Sequence, residues 1–214
     1  MAGKNDARNT VSLKHHGTSF REITLVAQAE LPTRYGIFTI MGFLSERDEK
    51  EYTVAIHGGV TGKEDCPVRI HSECHTGEIW GCLRCDCREQ LEASIKYITE
   101  QQYGMVIYCK QEGRGIGLLN KLKAYHLQDN GMDTVEANLH LGFPVDMRDY
   151  TVSTDIIQFL DIKSVALLTN NPKKIEAFQQ RGIPVTRRIP LVVNPNRYNE
   201  RYLKTKKEKL HHLL

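Results

Sequence analysis

Met105-Val106-Ile107-Tyr108-Cys109-Lys110-Gln111-Glu112-Gly113-Arg114-Gly115-Ile116-Gly117-Leu118 passes from one kind of structure to another in a single short run. Residues 105 to 108 are apolar and unbroken, which reads as a buried strand. The glycines at 113, 115 and 117 then permit close backbone approach in the turn that follows. Leu118, Leu122 and Tyr125 share one face of a helix, and Gly131 stands where that helix would stop. A strand, a glycine turn and a helix form the repeating step of an α/β layer.

The same alternation extends outward. Leu91, Ile95 and Ile98 lie at i, i+4 and i+7, the spacing of an amphipathic helix. Asp133-x-x-Glu136 fits a capping box that opens a short helix. Ile156, Ile157 and Leu160 predict another helix, and Val165 to Leu168 a strand. Asn171 as N-cap with Pro172 at the first helical position begins a helix ending near Gly182. Residues 88 to 190 therefore predict alternating strand and helix with some parallel pairing. Upstream, Ile23 to Ala29, Tyr35 to Gly42 and Tyr52 to Ile56 read as strands separated by turn residues. The expected fold is a single α/β domain over residues 21–214, with a β-rich N-terminal part, an alternating C-terminal part and a mixed sheet. Residues 1–20 are polar and aperiodic, and are expected to form a mobile extension. The final basic stretch is expected to be a helix that closes the domain or packs on another subunit.

Composition narrows the function classes. The chain has 214 residues, 40% hydrophobic and 26% charged, ordinary values for a soluble globular protein. No apolar run approaches the ~20 residues of a membrane helix, and the first residues lack the apolar core of a secretion signal. A cytoplasmic location without membrane partners is expected. The net charge of +3 is mild and its basic residues form small groups, which argues against a nucleic-acid partner.

The chemistry-bearing residues begin with Cys74, followed after ten residues by Cys85-Asp86-Cys87. In a reducing compartment such a cluster points to metal rather than disulfides. Three soft thiolates suit one zinc ion per chain. Structural zinc sites usually close with four protein ligands, so three leave a position open for hydrolytic chemistry. His71 or His75 could close the site as a fourth ligand, and Cys82 competes with Cys74 for the third place. Cys109 reads as inert packing.

Two segments fit anions. Gln111 to Gly117 leads from a strand into a helix, where backbone N–H groups favour negative charge. Thr169-Asn170-Asn171-Pro172-Lys173-Lys174 sets two lysines in the first turn of a helix, against its dipole unless an anion binds there. In Asp146-Met147-Arg148, the charged pair points one way if the segment is extended.

Taken in order, these blocks resemble GTP cyclohydrolase II, the family that opens riboflavin biosynthesis. The resemblance covers roughly residues 25 to 214. It rests on Arg69-x-His71-Ser72-Glu73-Cys74, Arg84-Cys85-Asp86-Cys87, Gln111-Glu112-Gly113-Arg114-x-Ile116-Gly117-Leu118-Leu119-Asn120-Lys121, Asp133-Thr134-Val135-Glu136-Ala137-Asn138 and Leu168-Thr169-Asn170-Asn171-Pro172-Lys173-Lys174. It implies zinc on Cys74, Cys85 and Cys87, and magnesium with the substrate triphosphate. The implied reaction is hydrolysis of GTP at guanine C8, releasing formate and pyrophosphate. The product would be 2,5-diamino-6-ribosylamino-4(3H)-pyrimidinone 5′-phosphate. The GTP contacts carry over to Arg69, Ile70, His71, Ser72, Glu73, Gln90, Glu112, Gly113, Arg114, Thr134, Thr169 and Lys174. Of these, Glu112 is the carboxylate expected to accept from guanine. Tyr125 carries over as a ring-opening residue, Arg148 as a nucleophile toward the α-phosphate and Asp146 as its proton acceptor. Guanidinium chemistry favours a different part for Arg148, a clamp on the phosphates. The resemblance also implies a homodimer.

The chain departs from the usual family residues at His75, Glu78, Cys82 and Arg88, which are expected to crowd the metal loop. Backbone strain is expected at Arg88, where the family has glycine. The departures fit a paralogue of the same fold that feeds another guanine-derived pathway or stops at the formamide. A zinc nucleobase deaminase shares His71-x-Glu73 but requires a Pro-Cys-x-x-Cys that is missing. A zinc nucleic-acid module would require four ligands and more positive charge.

Overall fold

The structure is a computed structural model that describes residues 17–213. Among these residues one mixed sheet has eight strands in the order β1-β2-β3-β4-β6-β5-β7-β8. Strands β1 (Ser19–Phe20), β2 (Ile23–Thr33), β3 (Gly36–Ser45) and β4 (Glu51–His57) form an antiparallel meander, and β4 continues antiparallel onto β6 (Gly104–Cys109). Strands β6, β5 (Cys66–Ser72), β7 (Val165–Leu168) and β8 (Val185–Ile189) run parallel, with Ile70 opposite Ile107 and Val68 opposite Leu167. The α/β domain with a mixed sheet is as expected. Of the proposed N-terminal extension, residues 17–20 are described, and Ser19–Phe20 pair with β2. Residues 1–16 lie outside the described residues.

Strand β4 alternates, so Tyr52, Val54 and Ile56 enter the main core while their neighbours face the other way. That core lies on one face of the sheet beneath α5 (Thr151–Phe159) and α6 (Pro172–Gln180), through Val152, Ile156, Ile157 and Phe178. The opposite face carries Phe38 and Val106 under α2 (Cys87–Thr99), whose Ile98 is buried and whose Leu91 and Ile95 pack beside it. Helix α4 (Thr134–His140) opens with the expected capping box. Asp133 accepts from the backbone of Val135 and Glu136, and Glu136 accepts from the Asp133 N–H. Asn171 caps α6 by accepting from Lys173 N at 3.0 Å, with Pro172 next in line. Helices α1 (His75–Glu78), α3 (Leu118–Asp129) and α7 (Glu200–Glu208) complete the set.

This topology positions the site. The order turns at β5, with β6 on one side and β7 on the other. Open α/β sheets bind ligands beyond the carboxyl ends of parallel strands at such a reversal. Here those ends release Glu73 and Cys74 after β5, Gln111 to Arg114 after β6, and Thr169 to Asn171 after β7.

Candidate active site and metal centre

Beyond those strand ends lies one cavity whose wall includes every expected site residue except Ile70 and Asp146. Ile70 points its side chain into the core, and its carbonyl accepts from Lys174 Nζ at 2.8 Å. Asp146 stands behind the wall and grips Arg148, accepting from Nε at 2.8 Å and Nη2 at 2.6 Å.

In the cavity wall the sulfurs of Cys74, Cys85 and Cys87 lie within 4.8 Å of one another. The Cys74 and Cys85 sulfurs are 3.6 Å apart, close to the ~3.8 Å implied by two Zn–S bonds of ~2.3 Å in a tetrahedron. The donor set therefore fits a thiophilic divalent ion. Hydrogen bonds from Cys85 and Cys87 push the Cys74 thiol far down. The same contact with Cys74 pushes Cys85 up to about 12, and Cys87 is raised by both neighbours. Without a cation the cluster keeps protons; with one, all three can be thiolates.

The loop around the sulfurs is shaped by local contacts. Glu78 Oε1 accepts from His71 Nε2 at 2.7 Å and from Cys74 N at 2.8 Å, and its Oε2 accepts from Tyr108 at 2.7 Å. His71 is thus committed to Glu78 rather than available as a fourth ligand. His75 lies edge-on to Trp80, and Cys82 falls outside the sulfur cluster. Gly77 has no room for a side chain, since a Cβ there would meet the Cys74 and Cys85 sulfurs at 3.2 Å. Arg88 shows none of the strain expected of it. It lies in the first turn of α2, outside the left-handed backbone positions, and pairs with Glu92 at 3.2 Å. A helical φ suits arginine, so its side chain is free to pair at the surface.

Lys121, which the sequence reading did not single out, donates to Cys74 Sγ at 3.2 Å and to Glu112 Oε1 at 2.7 Å. It precedes Tyr125 by four residues on α3, a spacing that sets both on one face. Both Glu112 oxygens are occupied, because His75 N and Gly113 N donate to them at 2.6 Å each. Among the described residues no donor reaches the Glu73 carboxylate, which burial and the nearby Glu112 and Glu78 hold above its usual range. The Tyr125 hydroxyl meets Thr76 at 3.3 Å, and burial raises it above its usual value, so it stays protonated.

The same cavity wall also carries a set of cations. Arg69 donates to Leu168 O at 3.1 Å and Gln90 Oε1 at 2.8 Å, and burial brings its guanidinium down to about 10. Lys174 is pushed well below its usual value by burial and then by the Arg69 and Arg148 charges. Burial opposes the Arg148 charge, but Tyr150 and Asp146 outweigh it and hold the guanidinium above its usual value. Arg114 follows Gly113 in a left-handed backbone, φ 61°, and both its terminal nitrogens are buried with no partner. These four cations outnumber the carboxylates that act on them, Asp146 and, at Arg69, Asp86, an imbalance that a polyanion would correct.

No helix among the described residues is long and apolar enough to cross a membrane.

A protein-family model described as GTP cyclohydrolase II matches residues 24–190. A GTP cyclohydrolase-2 of Picrophilus torridus is 52% identical over 191 residues, covering 89% of this chain and 99% of that protein. One from Tolumonas auensis is 52% identical over 192 residues, covering 90% and 98%. The riboflavin biosynthesis protein RibBA of Endomicrobium trichonymphae is 48% identical over 192 residues, covering 90% of this chain and 48% of that longer protein.

Proposed function

The chain belongs to the GTP cyclohydrolase II family, and from that premise we propose that it hydrolyses GTP at guanine C8 with zinc held by Cys74, Cys85 and Cys87. Formate and pyrophosphate leave, and 2,5-diamino-6-ribosylamino-4(3H)-pyrimidinone 5′-phosphate remains for riboflavin biosynthesis. One observation carries the reading: three sulfurs spaced for a metal line the same cavity as Arg69, Arg114, Arg148 and Lys174, a cationic set whose Arg114 terminal nitrogens have no hydrogen-bond partner. Metal ligands and cations on one wall suit a nucleotide, whose base and phosphates need both.

Bound to the three sulfurs, zinc supplies a Lewis-acidic centre that activates water for hydrolysis. Lys121 donates to the Cys74 sulfur and orients it. The protonated Tyr125 hydroxyl, beside Thr76 on the metal loop, donates or relays a proton as the ring opens. Glu73, whose carboxylate no donor reaches among the described residues, and Glu112, whose Oε2 accepts a single bond, offer the acceptors for the guanine N1–H and exocyclic amine. Arg114, Arg148 and Lys174 bind the triphosphate, which brings magnesium with it. Arg148 acts there as a clamp that stabilises charge on departing pyrophosphate. Its bidentate pair with Asp146 keeps the guanidinium protonated, which removes the lone pair a nucleophile needs. Asp146 is pushed up by burial but brought below its usual range by Arg148, so it orients rather than accepts a proton.

Six free cysteines support a cytoplasmic, reducing compartment. Exposed Ile79, Trp80, Leu83, Leu119 and Leu122 support burial of that surface in a homodimer. Mass spectrometry of the products formed from GTP and magnesium tests the reaction. Formate, pyrophosphate and the diaminopyrimidine are expected, and Cys85→Ser should lose ring opening. Arrest at the formamide would point to the paralogue, and ammonia without formate to a deaminase.

A further inference from the structure

Helix α7 reaches the site from outside residues 24–190, the span matched by the family model. Its contact with the metal loop runs through Asp86, the residue between two of the cysteines. Asp86 occupies the N-cap position of α2, where an aspartate ordinarily accepts from the first helical N–H groups. It makes no such side-chain bond. Instead its Oδ1 accepts from Lys206 Nζ at 2.8 Å, and its Oδ2 accepts from Gln90 Nε2 at 2.6 Å. Gln90 in turn accepts from Arg69 Nη2 through its other amide atom. The ion pair is buried at both ends, with side-chain exposures of 8% for Lys206 and 2% for Asp86. Giving up a cap and burying an ion pair both oppose stability, and such local conflicts concentrate where function requires them.

A second contact comes from the same helix. The Tyr202 ring lies 5.0 Å from Lys206 Nζ and 5.9 Å from Cζ of Arg114, the arginine whose terminal nitrogens lack partners. Tyr202 and Lys206 both face the cavity.

We propose that Lys206 is a positioning residue of the active site: through Asp86 it fixes the Cys85–Cys87 turn, and through Asp86 and Gln90 it fixes the Arg69 guanidinium. One buried chain of contacts then holds the cysteine turn and the Arg69 guanidinium in register. The inference rests on the proposed GTP reaction for its activity readout alone.

The test uses the full chain with four changes: Lys206→Met, Lys206→Arg, the double variant Asp86→Asn with Lys206→Met, and Lys204→Met. Lys204 is on the exposed side of the same helix and serves as the surface control. Zinc loss to a chelator and the sulfur-to-metal absorption of the cobalt(II) protein are measured first. Lys206→Met and the double variant should release zinc about tenfold faster, at the lower end of the effect of outer-shell partners. Both should shift the cobalt band. Lys206→Arg should recover most of the loss, and Lys204→Met should match the parent. The double variant leaves no stranded carboxylate, so it separates lost positioning from a buried charge and remains informative if Lys206→Met fails to fold. With GTP, KM should rise several-fold in the same two variants as Arg69 loosens. Parent-like zinc retention and cobalt spectrum in either variant would overturn the proposal. A parent protein inactive on GTP would instead refute the reaction, leaving the metal measurements to decide Lys206.

Discussion

Replacing Gly77 by alanine should move metal affinity and folding stability in different directions. The added Cβ would stand 3.2 Å from the sulfurs of Cys74 and Cys85 and 3.7 Å from the Cys87 Cβ. Unstrained non-bonded contacts begin at about 3.5–4.0 Å, so each sulfur must recede by roughly 0.3–0.8 Å. Metal–ligand distances tolerate about 0.2 Å. Two of three ligands would therefore leave their positions, and zinc affinity should fall at least tenfold, the scale on which outer-shell changes already act. The metal-free protein faces no such constraint, because free thiols can rotate away. Gly77 has no left-handed φ to preserve, and alanine gains up to about 1 kcal/mol over glycine in a helix. Chelator competition gives the affinity, with Trp80, the chain's sole tryptophan, as fluorescent reporter 6.5 Å from His75. Urea unfolding of metal-free protein gives the stability. A variant with parent affinity, or one whose metal-free form loses several kcal/mol, would refute the steric argument.

Arg114→Gly should stabilise the fold by about 1 kcal/mol, because glycine holds the left-handed backbone of residue 114 without strain; KM for GTP should nevertheless rise, read from steady-state kinetics. Asp155→Ala should cost about 2–3 kcal/mol in urea unfolding, since this buried carboxylate holds Arg21 at 2.7 Å and also Arg181; unchanged kcat would show that the pair serves the fold alone. His212 is held down to about 3 by burial and by Lys206, Arg148, Arg114 and Lys174. An unfolded chain would bind that proton near pH 6.5, so stability falls as pH drops from about 6.5 toward 3, by up to ~1.4 kcal/mol per unit. Unfolding curves of His212→Gln should be flatter over this range, and an identical slope would refute the assignment.

Much of the architecture was legible before any coordinates. Periodicity located β2, β3, β4, β6 and helices α2, α3 and α5, because those segments are buried on one face or are uniformly apolar. The Asp133–Glu136 box and the Asn171–Pro172 start are short-range devices whose partners lie within a few residues, and both form as expected. Strand β5 escaped, because a strand with Arg69 and His71 buried inside it has neither alternation nor an apolar run. The strain expected at Arg88 is absent, because a helical backbone does not impose it. That the Glu112 carboxylate also accepts from His75 N, Gly113 N and Lys121 was not legible, because two of those donors reach it only through the fold.

By itself, the sequence determined which residues could ligate a metal, which turns invite anions and where most elements begin and end, because cysteine spacing, glycine and capping chemistry act over a few residues. The tertiary structure alone decided the strand order that brings the ends of β5, β6 and β7 together. It likewise decided that Lys121 meets the Cys74 sulfur and that Lys206 claims Asp86 from a cap. These contacts join residues up to 120 positions apart, and they depend on how a buried charge finds its partner once the sheet and helices have packed, which no local pattern records.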